Sequence, residues 1–64
     1  MNNFRTNLIL QRQKIKLSQQ ELADLLNVNQ KTIGSYEEGR AVPKLDLIIE
    51  MANLFKITVD QLIK

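Results

Sequence analysis

The chain has 64 residues, of which 44% are hydrophobic, which is enough for one small core and too little for two. A multidomain enzyme is therefore excluded. The absence of Cys and His also excludes disulfides and any metal site built from those ligands. The net charge is only +2, but residues 1–16 carry four basic side chains and no acidic one. The basic end of the chain is its N-terminal quarter, a weak sign of an anionic partner.

The sequence shows no sign of export or membrane insertion. Its first residues lack the apolar run of a signal peptide, and no apolar run approaches the ~18 residues of a membrane span. We therefore expect a cytoplasmic protein that binds no membrane, cofactor, metal ion or small-molecule ligand. Catalysis is also unexpected, because the chain lacks His and Cys and its acidic residues are spread over separate predicted helices.

Capping signals and apolar periodicity predict the first two helices. Phe4, Leu8 and Ile15 form an apolar stripe that predicts a helix over about residues 4–14. Residues 18–21 (SQQE) form a capping box, which predicts a second helix over about 18–26. We expect Asn27 to end it in a left-handed conformation. Its predicted buried residues are Leu22, Ala23, Leu25 and Leu26.

Three more helices complete an all-α prediction. Asn29 is the predicted cap of a third helix over about 29–38, with Ile33 and Tyr36 facing inward and Gly39 at its end. A fourth helix is predicted over about 44–55, and a second capping box, TVDQ, starts a fifth over about 58–63. The predicted inward stripe of the fourth helix is Leu45, Ile48, Ile49, Ala52 and Phe55, and we expect its second apolar side, Leu47, Met51 and Leu54, to be buried as well.

The second and third helices, joined by a turn of about three residues, have the form of a helix-turn-helix unit. On a helical wheel, the core residues of the third helix lie on one arc, and its polar and small residues lie on the other. The polar residues include types that bind base edges in the DNA major groove. Gly34 allows the helix backbone to approach the groove closely. The predicted base-contacting residues are Gln30, Lys31, Gly34 and Ser35.

Phosphate contacts are expected around the same unit, because they supply most of the affinity for DNA. Gln19 lies in the first turn of the second helix, where free amides favour an anion. Asn29, Arg40 and Lys44 lie on either side of the third helix, so these four are the predicted phosphate-contacting residues. Arg5, Arg12 and Lys16 form a basic ridge on the first helix that is a further candidate for the DNA flank or an ordinary solvated face.

The sequence resembles the Cro/CI (Xre) helix-turn-helix family over nearly its whole length. The resemblance lies in LSQQELADLL at residues 17–26, VNQKTIGSYEEGR at 28–40, PKL at 43–45 and VDQL at 59–62. It implies a five-helix, lambda-repressor-like domain that binds operator DNA, usually as a dimer, and regulates transcription, often by repression. It further implies that Gln19 contacts a phosphate, that Gln30, Lys31 and Ser35 face the bases, and that Arg12 and Glu37 form a structural ion pair.

The sequence departs from the family pattern at three positions. Asn27 and Lys56 stand where many members have Gly, and we expect Lys56 to leave the fourth helix by a less strained path. Glu38 stands where some members contact the DNA backbone, and its charge is expected to keep the end of the third helix away from phosphates.

The favoured hypothesis is a single domain, residues 1–64, that binds operator DNA as a homodimer in the cytoplasm, associated with the nucleoid. The dimer is expected to form around the fifth helix, through Val59, Gln61 and Ile63. Two alternatives remain open. One is a protein-interaction module with the same fold, such as an antitoxin. The other is that the chain is the DNA-binding part of a longer regulator.

Overall fold

The computed structural model describes residues 3–64, which fold into five α-helices without a strand. The helices are α1 (Phe4–Lys14), α2 (Gln19–Leu26), α3 (Gln30–Glu37), α4 (Leu45–Phe55) and α5 (Val59–Ile63). The predicted all-α, five-helix fold is therefore confirmed. Residues 1 and 2 of the predicted domain lie outside the described residues. No helix among those described is long and apolar enough to cross a membrane.

Side-chain caps start three of the helices where the sequence predicts them. The Ser18 hydroxyl accepts a hydrogen bond from the Glu21 amide at 3.0 Å, and the Glu21 carboxylate accepts one from the Ser18 amide at 2.9 Å. The bond from the Ser18 backbone, followed by that with its side chain, lowers the pKa of Glu21 below its usual value. Thr58 and Gln61 form the same box at α5. At α3, the Asn29 carboxamide oxygen accepts a bond from an amide of the first turn at 2.9 Å.

The core lies between α1, the α2–α3 unit and the last two helices. α2 packs against α3 and α4, whereas α1 packs against α3 and α5. The buried hydrophobic residues are Phe4, Leu8, Leu22, Ala23, Leu26, Ile33, Ile48, Met51, Ala52, Phe55 and Leu62. Tyr36 is half-buried, and its ring meets that of Phe4 edge-on, with the centroids 6.4 Å apart. This packing fixes α3 from behind and leaves its other side at the surface.

The predicted inward stripe of α4 is wrong at two residues. Leu45 and Ile49 are 64% and 43% exposed, whereas Met51 is fully buried and Leu47 and Leu54 pack against the core. The expectation that this second apolar side is buried is thus confirmed. Because α4 is apolar over most of its circumference, periodicity alone does not show which of its sides faces the other helices.

Two further expectations about the core are wrong. Leu25 is 59% exposed, since α2 turns Leu22, Ala23 and Leu26 toward the core and Leu25 projects about 60° beyond Leu22, on the side away from the other two. Ile15 is 41% exposed because it follows the last residue of α1 and no longer belongs to the helical stripe.

Among residues 3–64, three residues other than Gly have a left-handed backbone. They are Lys16, Asn27 and Lys56, with φ of 61°, 59° and 59°. The expectation for Asn27 is confirmed, but Lys56 does not take the less strained path expected of it. The Ile57 amide donates to the Ala52 carbonyl at 3.0 Å, which closes the end of α4 in a Schellman motif that requires this conformation at Lys56.

Candidate nucleic-acid interface

The turn between α2 and α3 is held at its start by a backbone hydrogen bond and at its end by a side-chain cap. The Val28 amide donates to the Ala23 carbonyl at 2.9 Å across the left-handed Asn27, and Val28 packs against the core. Asn29 then caps α3. The turn has three residues, as the sequence predicts, so α3 is rigidly placed relative to α2.

The surface of α3 carries the residues predicted to contact bases. Lys31 is exposed, whereas Gln30, Gly34 and Ser35 are each half-buried and reach the surface between the helices. Ile33, on the opposite side of α3, is fully buried. The surface side of α3 therefore presents amide, ammonium and hydroxyl groups without a large apolar side chain among them.

A chain of side-chain hydrogen bonds runs from α1 to the start of α3, and we call it the polar chain. The Arg12 Nε and Nη2 atoms donate to the two carboxylate oxygens of Glu37 at 2.6 and 3.1 Å. Gln19 Nε2 donates to Glu37 Oε1 at 2.9 Å, and Gln30 Nε2 donates to Gln19 Oε1 at 2.7 Å. Arg12 Nη1 also donates to the Leu17 carbonyl at 2.8 Å. The polar chain thus links α1, α2 and both ends of α3.

The inner half of the polar chain is buried. The Arg12 and Glu37 side chains are 14% and 6% exposed, so the ion pair that the family resemblance implies is present and lies inside the fold. Every buried polar side-chain atom among residues 3–64 has a hydrogen-bond partner. Removing one partner of such a pair costs about 3–5 kcal/mol, because the other charge is left buried. Arg12 is therefore a structural residue and does not belong to a basic ridge that faces solvent.

The residues predicted to contact phosphates lie in different surroundings. Gln19 is the first residue of α2 and belongs to the polar chain, whereas Asn29 and Lys44 are exposed N-cap residues of α3 and α4. Arg40 is paired with Glu38 at 2.5 Å, and both side chains are more than half exposed. No sequence pattern predicts the Arg40–Glu38 pair, because both residues lie beyond the last residue of α3, where helical spacing no longer applies.

Arg5 has a contact that sequence analysis missed. Its Nη1 donates to the Glu38 carbonyl at 3.3 Å, and its side chain lies over Gly39, where φ is +79°. A Cβ atom at Gly39 would stand 2.7 Å from Arg5 Nη1. The glycine thus provides both the left-handed backbone and the space for Arg5. No local pattern links positions so far apart in the chain.

The profile of the helix-turn-helix family matches residues 8–62. The chain belongs to this family. It is 33% identical over 61 residues to the uncharacterized HTH-type transcriptional regulator YqaE of Bacillus subtilis (strain 168), a match that covers 95% of this chain and 53% of that protein. In the same organism, it is 36% identical over 47 residues to the SPbeta prophage-derived uncharacterized HTH-type transcriptional regulator YonR, with coverages of 73% and 44%.

A third relative of the chain is the HTH-type transcriptional regulator ImmR of Bacillus subtilis (strain 168). The two are 31% identical over 52 residues, which are 81% of this chain and 41% of ImmR. The chain thus spans about half the length of the curated relatives that it matches. No solved structure matches it significantly. The family assignment made from the sequence is confirmed.

Proposed function

We propose that this chain binds double-stranded operator DNA and represses transcription, with α3 in the major groove. The observation that carries the proposal is the polar chain, which holds Gln30 at the start of a capped surface helix with part of its amide free. Membership of the helix-turn-helix family supports it, as do three relatives that are named transcriptional regulators. Repression follows if a bound domain blocks access to the promoter.

Gln30 is suited to contact adenine. One N–H of its Nε2 is donated to Gln19, which leaves the second N–H and the carbonyl oxygen for a base. A donor beside an acceptor matches N7 and the N6 amino group of adenine. Lys31 is suited to guanine and Ser35 to several bases, whereas Gly34 lets the helix approach the groove floor.

The proposed phosphate contacts surround this surface. Gln19 has a second N–H on Nε2 that is not needed by the polar chain, and it lies at the positive end of the α2 dipole. Asn29 uses its oxygen as a cap and keeps its amide nitrogen as a donor. Lys44 adds a charge at the start of α4. To bind a phosphate, Arg40 has to break its ion pair with Glu38. An exposed ion pair of this kind contributes only about 0–1 kcal/mol, so breaking it costs little.

We propose that two copies bind together, on half-sites about 34 Å apart on one face of the DNA. Val59 and Ile63 of α5 are half-buried and Gln61 is exposed, so these side chains keep surface for a second copy. A two-fold interface would pair each of them with its own counterpart or a neighbour. The whole of residues 1–64 is taken as one DNA-binding domain, whether alone or within a longer regulator.

Selection of binders from a random duplex library tests this function. The expected result is an enriched inverted repeat with half-sites about one helical turn apart, and an affinity that falls steeply with salt. Lys31→Ala should change the enriched sequence. Lys64→Ala removes the same charge from the end of α5 and should leave the sequence unchanged. Absence of enrichment together with a flat salt response would refute DNA binding, and enrichment of a single half-site would refute only the dimer.

A further inference from the structure

The polar chain has a direction that is set at its buried end. An ionised carboxylate only accepts hydrogen bonds, whereas a Gln side chain both donates and accepts. Glu37 is held by Arg12, and its Oε1 lies 2.9 Å from the Gln19 side chain. Gln19 must therefore turn its Nε2 toward Glu37, and this leaves its oxygen facing Gln30.

The same reasoning fixes the orientation of Gln30. Because the Gln19 oxygen lies 2.7 Å away and only accepts, Gln30 must turn its own Nε2 toward it. The order of donor and acceptor on the free edge of Gln30 is thus determined by a residue two hydrogen bonds away. If Gln19 were reversed, Gln30 would reverse as well, and its donor and acceptor would exchange places. The reversed order no longer matches adenine in the same position, because an acceptor would meet N7.

We propose that Glu37 is a positioning residue that sets the base preference of Gln30 without touching DNA. The inference rests on the proposed function, since it concerns the base that Gln30 reads. Glu37 is 6% exposed and lies at the opposite end of α3 from Gln30, so a direct contact of its side chain with a base is blocked by the fold. Its role is to keep both amide side chains in one of their two orientations.

The decisive variant is Glu37→Gln, which keeps the shape of the side chain but presents both a donor and an acceptor. Both orientations of Gln19 then become possible, and the reversed one is favoured, because Arg12 only donates and so holds the new carboxamide oxygen beside its Nε, where the carboxylate oxygen lies at 2.6 Å. Glu38→Gln is the matched control, because it removes the same charge from the next residue, which is exposed and outside the polar chain. The affinity of each protein is measured for four duplexes of the selected sequence that differ only at the base read by Gln30.

We expect the wild type and Glu38→Gln to favour adenine by about 5-fold to 150-fold, the range of a good bidentate contact. In Glu37→Gln this preference should fall by at least about twofold, because at most half of the molecules then hold Gln30 in the orientation that matches adenine, while the preferences at the positions read by Lys31 and Ser35 are kept. A folded Glu37→Gln protein that keeps the full preference, or loses affinity equally for all four duplexes, would overturn the proposal.

A second variant and a measurement without DNA cover the possibility that Glu37→Gln does not fold. Gln19→Ala leaves the buried ion pair intact and cuts the link to Gln30, so it should lower the adenine preference in addition to weakening all binding. In the free wild-type protein, one Nε2 proton of Gln30 should exchange with water more slowly than those of the exposed Gln13, because it is donated to Gln19. Equally rapid exchange of both Gln30 protons in the wild type would refute the fixed direction. If the wild type binds no duplex, the proposed function fails while this direction can still be confirmed.

Discussion

Replacing Gly34 with alanine should stabilise the free protein. Gly34 lies within α3, where glycine is less favourable than alanine by about 1 kcal/mol. The added Cβ would lie 3.8 Å from Gln19 Oε1, an ordinary van der Waals contact, so no steric cost offsets this gain. For a domain of this size, about 1 kcal/mol raises the Tm by roughly 4–8 °C.

Gly39→Ala is the matched control and should have the opposite sign. Its left-handed backbone, with φ of +79°, disfavours any Cβ, and the Arg5 guanidinium has to move away. We expect a loss of about 1 kcal/mol or more in the free energy of unfolding. Urea unfolding followed by circular dichroism measures both variants. A destabilised Gly34→Ala protein would refute the reasoning about α3.

The same Gly34→Ala variant should bind the selected duplex less tightly than the wild type. If the α3 backbone lies against the groove floor, the extra methyl group forces the two apart, and overpacking of this kind costs about 1–3 kcal/mol. Binding measured by fluorescence anisotropy at fixed salt separates this effect from stability. Equal or tighter binding by the more stable variant would contradict the close approach.

Three further predictions concern stability. Asn7 Nδ2 donates to the Leu62 and Gln61 carbonyls at 3.0 and 3.3 Å. Asn7→Ala should therefore lower the free energy of unfolding, measured by urea titration, by about 1 kcal/mol. An unchanged midpoint would show that these bonds do not hold α5. Lys56→Gly should raise the Tm by relieving up to about 1 kcal/mol of left-handed strain, and a lower Tm would contradict this. The pKa of Glu21 is lower in the folded protein than its usual value of 4.5. Its carboxylate therefore stabilises the fold at pH values above 4.5, and this contribution is lost as the pH falls through the lowered pKa. The free energy of unfolding, measured against pH, should therefore fall less in acid for Glu21→Gln than for the wild type. Parallel curves for the two proteins would refute this.

The sequence predicted the helices well because their ends are determined locally. Ser18, Asn29 and Thr58 each bond to an amide of the first turn that follows, so a few neighbouring residues contain the whole signal. Burial depends instead on packing between helices. Leu45 and Ile49 fit a helical stripe as well as Met51 does, but only the position of the neighbouring helices decides which of them is covered.

The candidate site was predicted in part. The positions of Gln30 and Lys31 on a surface helix follow from the wheel, and the ion pair of Arg12 with Glu37 follows from the family resemblance. The bonds of Gln19 to Glu37 and Gln30 do not, because they depend on how closely α2 approaches α3. They also change one expectation, since Gln19 is now proposed to affect base preference as well as affinity.

The most direct test of DNA binding through α3 is NMR mapping of backbone amides during titration with the selected duplex. We expect the largest shift changes in α3 and in the first turn of α2, and small changes in the groove between α2 and α4 that Leu25, Glu50 and Leu54 line. Changes concentrated in that groove, with α3 unaffected, would contradict the proposed binding surface.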